Sequence, residues 1–299
     1  MIYTVTLNPA LDYTVYLSHF VPGKTNRTCG EELFFGGKGI NVSAVLTALG
    51  EPTVALGFVA GFTGKALLAS LAEANIGQEM ICLPKGQTRI NVKIKGSQES
   101  EINAAGPDVP PEALAALMKQ LDALRATDTL VLAGSVPPSV PKSIYEEMLR
   151  RVAPRGVRAV VDAERELLLR ALPYRPFLIK PNLQELCDIM GRPLSNDGEI
   201  AEAAAELQQA GAKNVLVSMG RDGALLLDEH GRLHRERAVG GPPVNTVGAG
   251  DSMVAGFLCG VAKGYQHALR LGVAAGGATA RKSGLATGEE IGRLIREFM

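Results

Sequence analysis

No run of about 18 consecutive apolar residues occurs in this chain, so no segment is long and apolar enough to cross a membrane as a helix. The first residues, Met1 to Asp12, carry neither the basic start nor the apolar stretch of an export signal, and the expected location is the cytoplasm. Net charge is also absent, since 31 Lys and Arg balance 31 Asp and Glu. Without a long-range field, neither nucleic acid nor an anionic membrane is expected as a partner. A local basic pocket for a small anion is compatible with that balance. The four cysteines, Cys29, Cys82, Cys187 and Cys259, form no CxxC pair. That argues against a zinc ribbon or a dithiol redox site and for incidental thiols in a reducing compartment. Linkers, low-complexity tracts and internal repeats are missing too.

Two nucleotide-binding fingerprints are lacking as well. Gly64-Lys65 is followed by Ala66 and has no upstream glycine, so there is no P-loop. Gly37-Lys38-Gly39 has Val42 where a dinucleotide fingerprint needs its third glycine.

What is present is an ordinary globular balance: 299 residues, 46% apolar and 21% charged, enough for one large α/β domain or two small ones. Short β-type runs at Ile2 to Leu7, Thr53 to Val59, Thr129 to Leu132, Arg158 to Asp162, Phe177 to Lys180 and Asn214 to Ser218 suit strands buried on both faces. Helical patterns lie between most of them, notably Ile40 to Leu49, Lys65 to Asn75 and Pro111 to Leu124, and nearly everything from Asp251 to Met299 reads as helix. Such alternation predicts a mostly parallel sheet covered by helices. Leu11 to Leu17 and Arg89 to Lys95 instead alternate apolar and polar residues, which predicts half-exposed antiparallel strands. With a turn at Gly96 and Ser97 they would form a small projecting sheet, suited to serve as a lid that excludes water, or else an ordinary edge extension.

Asn245-Thr246-Val247-Gly248-Ala249-Gly250-Asp251-Ser252 precedes an apolar helical run. Glycines let backbone N–H groups converge on one point, and a helix start adds its positive dipole end, which together make an anion hole. An acidic residue there would repel a bound anion, but it suits a base that takes a proton from an attacking hydroxyl. A plain helix N-cap is the alternative. Gly36-Gly37-Lys38-Gly39-Ile40-Asn41 also opens a helix, with Lys38 able to neutralise an anion and Asn41 to bond sugar hydroxyls; a tight strand-to-helix turn would look the same. In Lys180-Pro181-Asn182-Leu183-Gln184-Glu185, Asn182 and Glu185 share a helix face, which suits either a water shell around Mg²⁺ or a capping box. Ser218 to Gly223 fits a hairpin turn equally well.

Taken in order, NPALD at Asn8 to Asp12, GGKGIN at Gly36 to Asn41, GSVPP at Gly134 to Pro138, KPNLQE at Lys180 to Glu185, SMGRDG at Ser218 to Gly223 and NTVGAGDS at Asn245 to Ser252 resemble the ribokinase-like (PfkB) carbohydrate kinases over essentially the whole chain. Within that family, TVTLNPALD, GFTG, TRINVKIK and EIN look most like the 1-phosphofructokinases, with the tagatose-6-phosphate kinases next.

The resemblance implies a three-layer α/β/α sandwich over residues 1–299 as one kinase domain, with lid strands drawn from about 11–35 and 88–104. It implies Asp251 as catalytic base and the amides of Val247, Gly248, Ala249 and Gly250 as anion hole. Asp12, Gly37, Asn41 and Ser135 would bind the sugar, and Lys38, Arg89 and Asn103 would meet the phosphate it already carries. Lys180, Asn182, Ser218, Gly220, Gly223 and Gly277 would bind ATP, the co-substrate, and Glu185 would hold Mg²⁺ through water. The implied reaction is transfer from Mg-ATP to fructose 1-phosphate, giving fructose 1,6-bisphosphate, with tagatose 6-phosphate or fructose 6-phosphate as alternative acceptors. Exposed lid strands would pair two copies as a homodimer. A rival of another class is a sugar-phosphate sensor without catalysis, which would have no need of Asp251. Three departures from the family pattern stand out: Asn245 where Asp is frequent, Ser139 where Gly is usual, and Asp162-Ala163-Glu164-Arg165 in place of small hydroxyl and glycine residues. His19, His230, His234 and His267 match no motif and read as incidental.

Overall fold

The computed structural model describes residues 1–298; Met299, the end of the expected helical C-terminal stretch, lies outside the described residues. Its strands are β1 (Ile2–Thr6), β2 (Ala10–Tyr16), β3 (Gly30–Gly36), β4 (Thr53–Ala60), β5 (Gly77–Gln78), β6 (Ile81–Leu83), β7 (Arg89–Lys95), β8 (Ser100–Ile102), β9 (Thr129–Ala133), β10 (Arg158–Asp162), β11 (Leu178–Ile179), β12 (Asn214–Ser218), β13 (Ala224–Leu227) and β14 (Leu233–Glu236). Among the described residues these form a ten-stranded sheet of order β14-β13-β12-β11-β10-β9-β1-β4-β5, with β6 also on β4, and a separate four-stranded sheet of order β3-β2-β7-β8. Pairing in the large sheet is parallel except at the β12-β13-β14 edge.

The unbroken apolar runs of the central strands follow from a sheet covered on both faces. In β9, Leu130 and Leu132 pack into one core while Val131 and Ala133 pack into the other. In β12, Val215 and Val217 likewise part from Leu216. One layer contains the helices Pro111–Leu121, Ile144–Val152 and Asp197–Gln209; the other contains Lys38–Ala48, Ala249–Gly260 and Tyr265–Ala280. Each fully buried Leu or Val contributes roughly 1.5–3 kcal/mol, so both layers are held firmly against the strands whose ends carry the site. This is the expected α/β/α architecture. The helix expected from Lys65 begins earlier, at Gly61, where the Gln87 side chain accepts from Phe62 N.

One expectation for the small sheet fails. Each of β2 and β7 has an antiparallel neighbour, β3 and β8, but the two run parallel to each other, with Asp12 opposite Asn91. The chain leaves the small sheet after β3, builds part of the large sheet, and returns as β7. Such a long excursion imposes no hairpin direction. The expected turn at Gly96 and Ser97 does join β7 to β8.

Sequence order reverses around β1, where the chain proceeds to β4 on one side and later to β9 and β10 on the other. Ligands of open α/β sheets bind beyond the carboxyl ends of strands at such a switch point.

Candidate active site

A cavity of about 1050 Å³ opens at that switch point, between the strand ends and the small sheet. Every residue expected at the site lines it: Asp251 with Val247, Gly248, Ala249 and Gly250; Asp12, Gly37, Lys38, Asn41, Arg89, Asn103 and Ser135; Lys180, Asn182, Ser218, Gly220, Gly223 and Gly277; and Glu185. None of the four histidines does; His234 instead bonds Asp228 through Nε2 at 2.7 Å. Ser139 is engaged locally, accepting from Val109 N at 3.0 Å.

Asp251 occupies the first turn of the helix Ala249–Gly260, behind the cap Gly248, whose φ of 79° is a left-handed conformation suited to glycine. The side chain is 5% exposed, and Asn41 Nδ2 donates to its Oδ2 at 2.8 Å. Burial raises the carboxyl to about 6, and nearby Asp162 pushes the same way; the Asn41 bond, Lys38 and Lys180 oppose them. A carboxylate tuned to about 6 is ionised at neutral pH and accepts a proton more readily than a surface one.

The backbone around it offers donors. Val247 N is engaged by Asn245 Oδ1 at 3.1 Å and Ala249 N by Thr246 O at 3.2 Å. The N–H groups of Gly248, Gly250 and Asp251 have no acceptor among the described residues, at a helix start where the dipole favours an anion. Lys180, at the end of β11, puts its ammonium against this turn, because a Cβ on Gly250 would lie 3.0 Å from Lys180 Nζ.

Lys38 begins the helix Lys38–Ala48 behind Gly37, whose φ of 121° and close approach to Thr6 exclude a side chain: a Cβ would lie 2.6 Å from Thr6 Cγ2. The ammoniums of Lys38 and Lys180 flank Asp162, at 3.3 Å from Oδ1 and 3.4 Å from Oδ2. Burial alone would raise the Asp162 carboxyl, but Lys180 and Lys38 outweigh it and hold the group below the ordinary carboxylate value. For Lys38, burial is outweighed in turn by Asp162, Asp251 and Glu185, which raise its ammonium.

At the small-sheet end, Arg89, Asn91 and Lys93 alternate along β7 and therefore share the face toward the cavity. Asn91 Nδ2 donates to Asp12 Oδ1 at 2.9 Å, and Lys93 Nζ lies 3.5 Å from Asp12 Oδ2. Arg89 is braced by backbone oxygens, its Nε on Asn8 O at 3.1 Å and Nη1 on Ala104 O at 3.4 Å. At the other end, Ser218, Gly220 and Gly223 belong to the β12–β13 hairpin, and Val239, Val273 and Gly277 add an apolar wall. Asn182 and Glu185 do form a capping box, each accepting the other's backbone N–H at 2.8 Å, and both also line the cavity.

Asn8, Asn91 and Lys93 also line the cavity but receive no site role from the sequence, and Asp162 stands out there only as a charged departure from the family pattern. The period-two signal in Arg89-Ile90-Asn91-Val92-Lys93 would have found Asn91 and Lys93. The signal for Asp162 is its charge, which with that of Glu164 replaces small residues at the end of an apolar strand, and it names no partner.

The cavity thus joins a buried carboxylate, three free amides at a helix start and several cations, a set suited to moving a phosphoryl group onto a hydroxyl. The family model for "pfkB family carbohydrate kinase" matches residues 5–291. A 1-phosphofructokinase of Bacillus subtilis is 42% identical over 299 residues, 99% of this chain and 98% of its own. A D-tagatose-1-phosphate kinase of Bacillus licheniformis is 36% identical, covering 95% of this chain and 94% of its own. Among solved structures, a putative phosphofructokinase from Staphylococcus aureus superposes with a TM-score of 0.88 at 40% identity, covering 99% and 97% of the two chains. The chain belongs to the pfkB family of carbohydrate kinases.

Proposed function

We propose that this protein transfers the γ-phosphoryl group of Mg-ATP to the C6 hydroxyl of fructose 1-phosphate, giving fructose 1,6-bisphosphate and ADP. The observation that carries the reading is Asp251: a buried carboxylate raised to about 6, held by Asn41, beside free amides of a glycine turn. Asp251 takes the hydroxyl proton as the sugar oxygen attacks phosphorus. The bond between phosphorus and the bridging oxygen breaks, and ADP leaves with its electron pair. Gly248, Gly250 and Asp251 N–H with Lys180 meet the charge on the moving group, where one preorganised donor is worth about 10²–10³ in kcat. Asp12 and Asn41 hold sugar hydroxyls, with Gly37 and Ser135 beside them; Lys38, Arg89 and Asn103 hold the phosphate already on the sugar. Asn182, Ser218, Gly220, Gly223 and Gly277 flank the nucleotide.

Magnesium fits through one carboxylate. Glu185 lines the cavity and engages Asn182 N through Oε2, which leaves Oε1 to meet the water shell of an ion that keeps most of its waters and leans on substrate phosphates. Glu185, through water, is the residue that would hold it, and the ion would supply charge neutralisation on the phosphates.

The whole chain acts as one kinase domain, with the four-stranded sheet as lid and as contact for a second copy. Leu33, Tyr13, Val92 and Ile102 align in one row across its four strands on the face away from Asp12, with Leu33 58% and Ile102 60% exposed. An apolar row on an open-edged sheet suits pairing with its own kind.

A second acceptor is favoured by the Bacillus licheniformis relative: D-tagatose 1-phosphate, which differs from fructose 1-phosphate only at C4. Coupled measurement of ADP release with each sugar phosphate tests the reading. Fructose 1-phosphate should have the highest kcat/KM. Binding of sugar phosphate without any ADP release would favour a sensor instead.

A further inference from the structure

Asp162 is the most deeply buried charged residue lining the cavity, at 2% exposed, and the scheme above gives it no task. Its two oxygens serve different lysines. Oδ1 accepts a hydrogen bond from Lys38 Nζ, whereas Oδ2 meets Lys180 Nζ only as an ionic contact and accepts no hydrogen bond. Lys38 stands behind Gly37 toward the sugar end, while Lys180 lies under Gly250 in the phosphoryl-binding turn. Lysine is a point charge on a long flexible stem, so its direction has to be imposed from outside. The other carboxylate near both ammoniums is Asp251. An ammonium that turned to Asp251 would hold it as an ion pair and weaken it as a proton acceptor.

We propose that Asp162 is a positioning residue of the transfer step: it holds the Lys38 ammonium toward the sugar and the Lys180 ammonium at the phosphoryl-binding turn, and keeps both off the base Asp251. The inference rests on the kinase reading. The charged groups facing Asp251 are Asp162, Lys38 and Lys180, with Asn41 as hydrogen-bond donor; Lys38 also faces Glu185, and buried Tyr145 feels Asp162 and Glu164.

The test is steady-state kinetics of wild type, D162N, K38M and D162N/K38M with Mg-ATP and fructose 1-phosphate across pH 5 to 9. Expected for D162N is a fall in kcat of about 10- to 100-fold. K38M should add little to that loss, since the two residues act as a unit. The acidic limb of kcat/KM should move to lower pH, because a negative neighbour of Asp251 is gone and the lysines are free to approach it. A kcat within threefold of wild type, an unmoved limb, or a K38M loss that multiplies in full would overturn the proposal. So would a raised magnesium requirement without coupling to Lys38, which would assign Asp162 to the metal. If D162N fails to fold because Lys180 is left unpaired in the interior, D162N/K180M removes both charges. In that folded background K38M should again add little, and a full additional loss would overturn the proposal. A wild type that turns over no sugar phosphate overturns the kinase reading and this one with it; an active wild type leaves the variants to test Asp162 alone.

Discussion

Asn41 Nδ2 donates to Asp251 Oδ2 at 2.8 Å, joining residues 210 positions apart in sequence. The bond favours the ionised carboxylate and opposes the burial that raises it. Asn41→Ala should therefore raise the Asp251 carboxyl above about 6. A bond to a charged group is worth about 1.5–3 kcal/mol and one pKa unit is about 1.4 kcal/mol, so the acidic limb of kcat/KM should move upward by about one to two units. A limb that stays near pH 6 in this variant would separate Asn41 from the base.

The same burial has a consequence for stability. Folding raises the Asp251 carboxyl from 3.8 to about 6, so the folded state favours the protonated form. That contribution is fully present below about pH 4 and is lost as pH rises through 6. Asp251→Asn should thus be more stable than wild type at pH 8, by up to roughly 3 kcal/mol, with the gain vanishing near pH 4. Thermal unfolding of both proteins at the two pH values checks this. Equal melting temperatures at pH 8 would contradict it.

Arg89 is held by two backbone oxygens on the cavity face of β7 and has further N–H groups for a phosphate. Arg89→Ala should raise KM for fructose 1-phosphate by about 10- to 100-fold, the loss of a charge-assisted pair of about 1.5–3 kcal/mol. KM for ATP should change little. Equal rises for both substrates would remove Arg89 from the sugar-phosphate end.

The row Leu33, Tyr13, Val92 and Ile102 predicts the assembly. Wild type should have the mass of two chains by light scattering. Leu33→Asp with Ile102→Asp should have the mass of one, with secondary structure kept. A wild type with the mass of one chain would refute lid pairing.

Much of this fold and site was legible before any coordinates. Residues buried on both faces left unbroken apolar runs, so the strands at Arg158–Asp162 and Asn214–Ser218 were bounded correctly. The glycine-rich segments marked the cavity because some of their positions exclude a Cβ, as Gly37 does against Thr6. The parallel pairing of β2 and β7 was not legible, since period-two alternation reports which face is wet and says nothing of strand direction. The Lys38–Asp162–Lys180 cluster escaped for another reason: its members come from one helix start and two strand ends, and none announces its partner locally. The capping box at Asn182 and Glu185 was legible as a possibility, but spacing alone could not divide it from a metal role.

The most direct test of the central claim is ADP release from Mg-ATP with fructose 1-phosphate, D-tagatose 1-phosphate, tagatose 6-phosphate and fructose 6-phosphate, run side by side for wild type and Asp251→Asn. The account predicts the highest kcat/KM for fructose 1-phosphate and a kcat lower by several orders of magnitude in the variant, with ATP binding retained. Preference for another sugar phosphate would contradict the substrate assignment, and a variant as fast as wild type would contradict the role of Asp251.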